Sequence, residues 1–107
     1  PKAVRTRVLS ARGRALAAAA SAAARELRRG RLVVIPTETV YGLAARALDP
    51  AAARRVYRAK GRPSDNPLIV HVDGRAMLAR VARRVTPLAE RLVRAFWPGP
   101  LTLVLEK

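Results

Sequence analysis

Apolar residues fall at Leu16, Ala20, Ala23, Ala24 and Leu27, the i, i+4, i+7, i+8, i+11 spacing of one helical face. The spacing predicts an amphipathic helix over 14–29. Gly30 stops it, as glycine does where a helix ends in a left-handed residue. Leu32, Val33, Val34 and Ile35 follow without a polar break, which predicts a buried strand. Pro36 ends that strand because it has no N–H to give a ladder. Asp49-Pro50 is a helix start, with Asp as N-cap and Pro in the first helical position. This helix runs to about Ala59, turns Ala53, Val56 and Tyr57 inward, and is broken by Gly61 and Pro63. The apolar run 68–72 predicts a second strand. Asp73 is placed to cap a third helix whose stripe is Leu78, Val81, Ala82 and Val85. Thr86-Pro87 repeats the cap-and-proline start, for a fourth helix carrying Leu88, Leu92, Ala95 and Phe96. Trp97-Pro98-Gly99-Pro100 reads as a turn, and 101–105 as a third strand.

The order helix, strand, helix, strand, helix, helix, strand predicts an α/β arrangement in which helices cover a sheet. No internal repeat and no linker interrupts it. Three strands make a thin sheet for four helices, and 101–105 is apolar almost throughout. The expectation is a single domain over 1–107 that is the N-terminal portion of something longer, cut at its C-terminus with part of its sheet missing.

Composition narrows the function classes. Of 107 residues, 50% are hydrophobic and 27% charged, a globular balance. The longest apolar stretch, 15–24, is mostly alanine and falls short of the roughly 20 residues of a membrane span. No cysteine is present, which excludes disulfides, thiolate metal sites and cysteine nucleophiles, and a single histidine excludes a multi-histidine metal centre. The net charge of +15 rests on 19 Arg and 3 Lys, beside 22 Ala. Arg and Ala share GC-rich codons, so codon usage and a solvated surface account for the excess before a dedicated nucleic-acid face does. No signal-peptide pattern is visible. Arg5, Arg7, Arg12 and Arg14 form a basic lead-in to the first helix rather than a transit peptide, and a cytoplasmic protein is expected.

Three clusters offer chemistry. Pro36 to Leu43, reading PTETVYGL, lies at the end of a strand, where α/β sheets place their ligand sites. The hydroxyls of Thr37, Thr39 and Tyr41 can bind a small polar ligand there. The two threonines can equally satisfy the loop's own backbone while Tyr41 packs in the core. In the second cluster, Lys60 and Arg62 flank Gly61, which permits close approach of a ligand to the backbone. The guanidinium is a planar fork for carboxylate or phosphate and the ammonium a point charge. Asn66 is held extended by Pro67 and can donate or accept. The same cations also suit a helix C-terminus on dipole grounds alone. The third candidate is His71 within 68–72, which shares a strand face with Ile69. The P-loop and dinucleotide glycine motifs are both absent. So are a Ser/His/Asp set and a carboxylate pair. Residue chemistry by itself reaches a cationic pocket for small anionic ligands.

Taken together, PTETVYGLAARAL at 36–48, AKGRPSDNPLIVHV at 59–72 and FWPGPLTLVL at 96–105 resemble, in order and spacing, the YrdC-like family of threonylcarbamoyl-AMP synthases. The resemblance covers nearly all of the chain from the first helix onward. It implies a twisted, mostly mixed sheet flanked by helices around a deep basic cavity, binding ATP without a P-loop. The implied enzyme is a nucleotidyltransferase that combines L-threonine, bicarbonate and ATP, releases pyrophosphate and yields threonylcarbamoyl-AMP. A separate threonylcarbamoyl-transfer complex then modifies the adenosine next to the anticodon of certain tRNAs. Carried over by residue, Thr39 contacts threonine, Tyr41 lines the same pocket and His71 hydrogen-bonds threonine. Lys60 and Arg62, the K-x-R pair, face the ATP phosphates and the carbamate, and Asn66 touches ATP. Mg²⁺ shares the charge of the leaving pyrophosphate, with no metal site on the protein itself and no membrane partner.

One part of the family pattern has no counterpart. The K-x-R pair works with a downstream S-x-N segment beyond the PGPLT strand, and Ser64-Asp65-Asn66 has that spacing in the wrong place. The isolated 107 residues are therefore expected to be weak or inactive. Two other readings use the same residues. A carbamoyltransferase domain of the hydrogenase-maturation type resembles this fold, but PTETVYGL is typical of the stand-alone synthases. An RNA-binding module would use the charge, yet Tyr41, Tyr57, Phe96 and Trp97 do not form a stacking platform.

Overall fold

In the computed structural model, which describes residues 5–61 and 67–107, the alanine-rich run becomes helix α1, Ala15–Arg28. Alanine loses no side-chain entropy in a helix, and Arg25 and Arg28 in the last turn complement its negative end. Gly30, at φ 78°, turns the chain out of the helix. Arg31 donates to Glu26 at 2.9 Å and Arg29 lies 3.8 Å from it. The Arg31 hydrogen bond, with the neighbouring positive charges, holds the Glu26 carboxyl below the ordinary glutamate value.

Strand β1, Val33–Ile35, pairs antiparallel with β2, Gly42–Ala44, in the register Val33 to Ala44, Val34 to Leu43 and Ile35 to Gly42. The sequence pattern anticipated β1 but not β2. Helix α2, Pro50–Lys60, starts where expected. The Asp49 carboxylate accepts from the Ala51 and Ala52 N–H groups at 3.0 and 3.3 Å, and Gly61 closes the helix at φ 62°. Arg55 donates to the Gly30 carbonyl, and Arg46 to the Arg28 carbonyl at 3.4 Å, so the end of α1 is tied to α2 and to the loop before it.

The chain divides into two units at residue 64. The elements above form the first. In the second, α3 is Arg75–Val81 and α4 is Pro87–Phe96. Thr86 caps α4 through the Ala89 N–H at 3.1 Å, and an Arg75–Glu90 ion pair joins the two helices. The Trp97 indole N–H donates to the Leu101 carbonyl at 3.0 Å, and the Arg83 N–H to the Glu106 carbonyl at 2.7 Å. A Cβ on Gly99 would lie 2.6 Å from the Phe96 carbonyl oxygen, so the turn after α4 requires glycine.

The helix-plus-sheet class holds, with four helices and one small antiparallel sheet among the described residues. Several local expectations do not. Neither 68–72 nor 101–105 is a strand. Leu101, Leu103 and Leu105 are half-buried while Thr102 and Val104 are exposed, so 101–105 has the period-two burial of a strand without a described ladder partner. Asp73 does not cap α3. Gly74 occupies that position and offers no side chain, and the helix ends before Ala82 and Val85. The inward faces of α1 and α4 are also rotated from those expected, while Val56 on α2 and Leu78 on α3 are buried as expected. The buried residues are Ala22 on α1, Ala52 and Val56 on α2, Leu78 on α3, and Ala89 and Val93 on α4, whereas Leu16, Leu88 and Phe96 are more than half exposed.

Candidate functional site

The loop 36–41 joins the two strands of the hairpin, so the Ile35–Gly42 pair fixes both of its ends. Its centre is the Thr37 hydroxyl. This oxygen donates to the Val40 carbonyl and accepts from the Thr39 N–H at 3.3 Å and the Val40 N–H at 3.2 Å. It also lies 3.4 Å from the Thr39 hydroxyl. A Cβ on Gly42 would lie 3.5 Å from the Thr37 methyl, an ordinary van der Waals contact, so the hairpin closes with the Thr37 side chain against the Gly42 position. Thr37 thus satisfies loop backbone, as one reading of the sequence allowed. Thr39 is presented at the surface beside it, and Tyr41 is 77% exposed rather than packed in a core.

Lys60 is the last residue of α2 and is exposed, with Gly61 turning the chain immediately after it. Among the described residues it forms no ion pair. Arg62 and Asn66 lie outside the described residues. His71 belongs to the second unit. It is exposed, and its Nδ1 lies 3.3 Å from the Ile69 carbonyl oxygen, a local contact that steadies the ring. Ile69 is itself 65% exposed, so the histidine stands in an accessible segment instead of a buried strand. The structure therefore gathers Thr37, Thr39 and Tyr41 on one hairpin loop, carries Lys60 on a helix end of the same unit, and carries His71 on the second unit.

Two surface cavities lie elsewhere. One of about 390 Å³ is lined by Val85, Pro87, Glu90, Arg91 and Arg94, and one of about 320 Å³ by residues from the lead-in and α1, including Arg7, Ser10 and Arg25. Neither is lined by Thr39, Tyr41, Lys60 or His71. No cluster of three His, Asp or Glu side chains able to hold a metal occurs among the described residues. No described helix is long and apolar enough to cross a membrane. The residue that sequence reasoning undervalued is Thr37. The signal was available in the T-x-T spacing at a strand end, since a hydroxyl there can reach backbone two and three residues on.

The class follows from the whole stretch from the end of α1 onward. Residues 25–107 match the Sua5/YciO/YrdC family, described as telomere recombination, and the chain belongs to it. A threonylcarbamoyl-AMP synthase of Pyrococcus abyssi is 56% identical over 81 residues, which are 76% of this chain and 24% of that protein. One of Bacillus subtilis is 49% identical over 83 residues, 78% of this chain and 24% of its own. A crystal structure of Pyrococcus abyssi Sua5 complexed with L-threonine superimposes with a TM-score of 0.70 at 52% identity, covering 74% of this chain and 23% of that one. The chain spans about a quarter of the length of these relatives.

Proposed function

We propose that the protein carrying this chain is a threonylcarbamoyl-AMP synthase, a cytoplasmic nucleotidyltransferase serving tRNA modification. The observation that carries the reading is the 56% identity to the Pyrococcus abyssi synthase through the hairpin loop and the α2 end. The complex of a relative with L-threonine supports threonine as one substrate. The others are bicarbonate and ATP, and the product passes to a threonylcarbamoyl-transfer complex and then to tRNA.

In this reading Thr39, Tyr41 and His71 bind threonine, and Lys60, Arg62 and Asn66 bind ATP. The threonine amine takes up the carbon of bicarbonate with loss of water, giving a carbamate. A carbamate oxygen then bonds to the α-phosphorus as the bond to pyrophosphate breaks. Negative charge accumulates on oxygen throughout, so fixed cations suffice and no protein nucleophile is required. The exposed Lys60 ammonium and the Arg62 guanidinium supply them. Mg²⁺ would ride on the nucleotide and share the charge of the leaving pyrophosphate.

The test is pyrophosphate release by the full-length protein. Release is expected only when ATP, L-threonine and bicarbonate are all present. Release that is indifferent to threonine removes the reading.

A further inference from the structure

We propose that Arg55 is a positioning residue: its hydrogen bond to the Gly30 carbonyl sets the axial register of α2, and with it the place of Lys60 relative to the hairpin loop. The inference rests on the synthase reading and adds to it a residue outside the proposed binding set. Within the first unit, two parts of that set are carried by different elements. Thr39 and Tyr41 stand on the loop that β1 enters, and β1 begins three residues after Gly30. Lys60 ends α2, five residues beyond Arg55, or about 7.5 Å along the helix axis. The helix buries Ala52 and Val56. Burial of such small apolar side chains is non-directional, so it holds α2 in the unit without fixing how far the helix slides along its axis. A hydrogen bond is directional, and the Arg55 bond has a charged donor and lies partly out of water. The junction it reaches is tight. A Cβ on Gly30 would stand 3.3 Å from both Arg55 Nη1 and Oδ2 of Asp49, the residue that caps α2. The cap of α2 and its second turn therefore meet the connection from α1 to β1 at one residue. A shift of Lys60 by about 1 Å changes its attraction for an anion little, because Coulomb energy falls only as 1/r. Alignment of the carbamate oxygen with the α-phosphorus is less forgiving, and misplacement on that scale costs up to about a hundredfold in rate. The hairpin loop keeps its own bonds through Thr37 whatever α2 does. Arg55 thus acts on turnover and leaves the capture of either substrate unchanged.

The experiment is steady-state pyrophosphate release by the full-length wild type, Arg55→Met, Arg55→Lys and Arg54→Met, with the folded fraction and Tm of each measured by circular dichroism. Methionine keeps the apolar stem and removes every donor; lysine keeps a charged donor. Arg54 is the control, an exposed cation one position away on the same helix. Arg55→Met is expected to lower kcat per folded molecule at least about tenfold, with KM for ATP and for threonine each within about threefold of wild type. Arg55→Lys is expected to recover kcat to within about threefold of wild type, and Arg54→Met to match wild type. Wild-type kcat in folded Arg55→Met overturns the proposal, and a lowered Tm beside it would make Arg55 a support of the fold alone. So does a rise in KM for ATP at unchanged kcat, which would make Arg55 a phosphate contact. An equal loss in Arg54→Met also overturns it, since the charge would then act as a diffuse field. A wild type whose release ignores threonine overturns the synthase reading itself and Arg55's role with it.

Discussion

At the residue scale the question is which cations act and which merely solvate the surface, because 22 Lys and Arg side chains cannot all serve one pocket. Arg62→Ala is expected to lower kcat/KM of the full-length protein by the equivalent of about 2–4 kcal/mol, the usual cost of one preorganised charge contact to a transition state. Arg83→Ala and Arg84→Ala are the controls. Both side chains are exposed after α3, and among the described residues Arg83 forms its hydrogen bond through the backbone N–H, to the Glu106 carbonyl. Steady-state kinetics decides the matter, and equal losses at all three positions would mean that the charge acts as a diffuse field. Residue identity in the hairpin loop was legible in advance, since hydroxyls at a strand end are conspicuous. The division of labour between Thr37 and Thr39 was not. It depends on which hydroxyl lies within reach of the Val40 backbone, a matter of loop dihedrals that T-x-T spacing leaves undetermined.

At the element scale, helix starts were the most readable feature because they are chemically local. Asp49-Pro50 and Thr86-Pro87 each join an acceptor side chain to a residue preset for the first turn, and both caps form. Asp49→Ala is expected to destabilise the chain by about 1 kcal/mol, with Asp49→Asn close to wild type. Urea unfolding that shows a lower midpoint with an unchanged slope would report this, and an alanine variant as stable as wild type would mean the cap is redundant. Sheet pairing was less readable, because a ladder needs a partner distant in sequence. Gly42-Leu43-Ala44 has neither β-branched residues nor alternation, yet it is a strand because Val33, Val34 and Ile35 lie opposite it. Conversely, 101–105 has the alternation and no described partner. The inward faces of α1 and α4 were misjudged for a related reason. Alanine is apolar enough to count in a stripe and too small to compel burial, so helix rotation is settled by tertiary packing.

At the scale of the whole molecule, stability follows from what the helices bury. The described core consists of Ala22, Ala52 and Val56 in the first unit and Leu78, Ala89 and Val93 in the second, and half of these are alanines. An alanine carries little surface to remove from water, while burial of a Val or Leu side chain is worth only about 1.5–3 kcal/mol. Set against the roughly 1–2 kcal/mol lost for each ordered backbone residue, so small a core leaves little margin. Meanwhile Val104 is 97% exposed on an extended segment, and Val34, Val40 and Ile69 are each more than 60% exposed, all β-formers available to another chain. The 107-residue polypeptide purified by itself is therefore expected to unfold in a broad, weakly cooperative transition, and to associate as its concentration rises. Calorimetry and light scattering over a concentration series measure both properties. A sharp transition above about 65 °C, the upper end for ordinary mesophile domains, from a species that stays monomeric would show that the small alanine-rich core suffices.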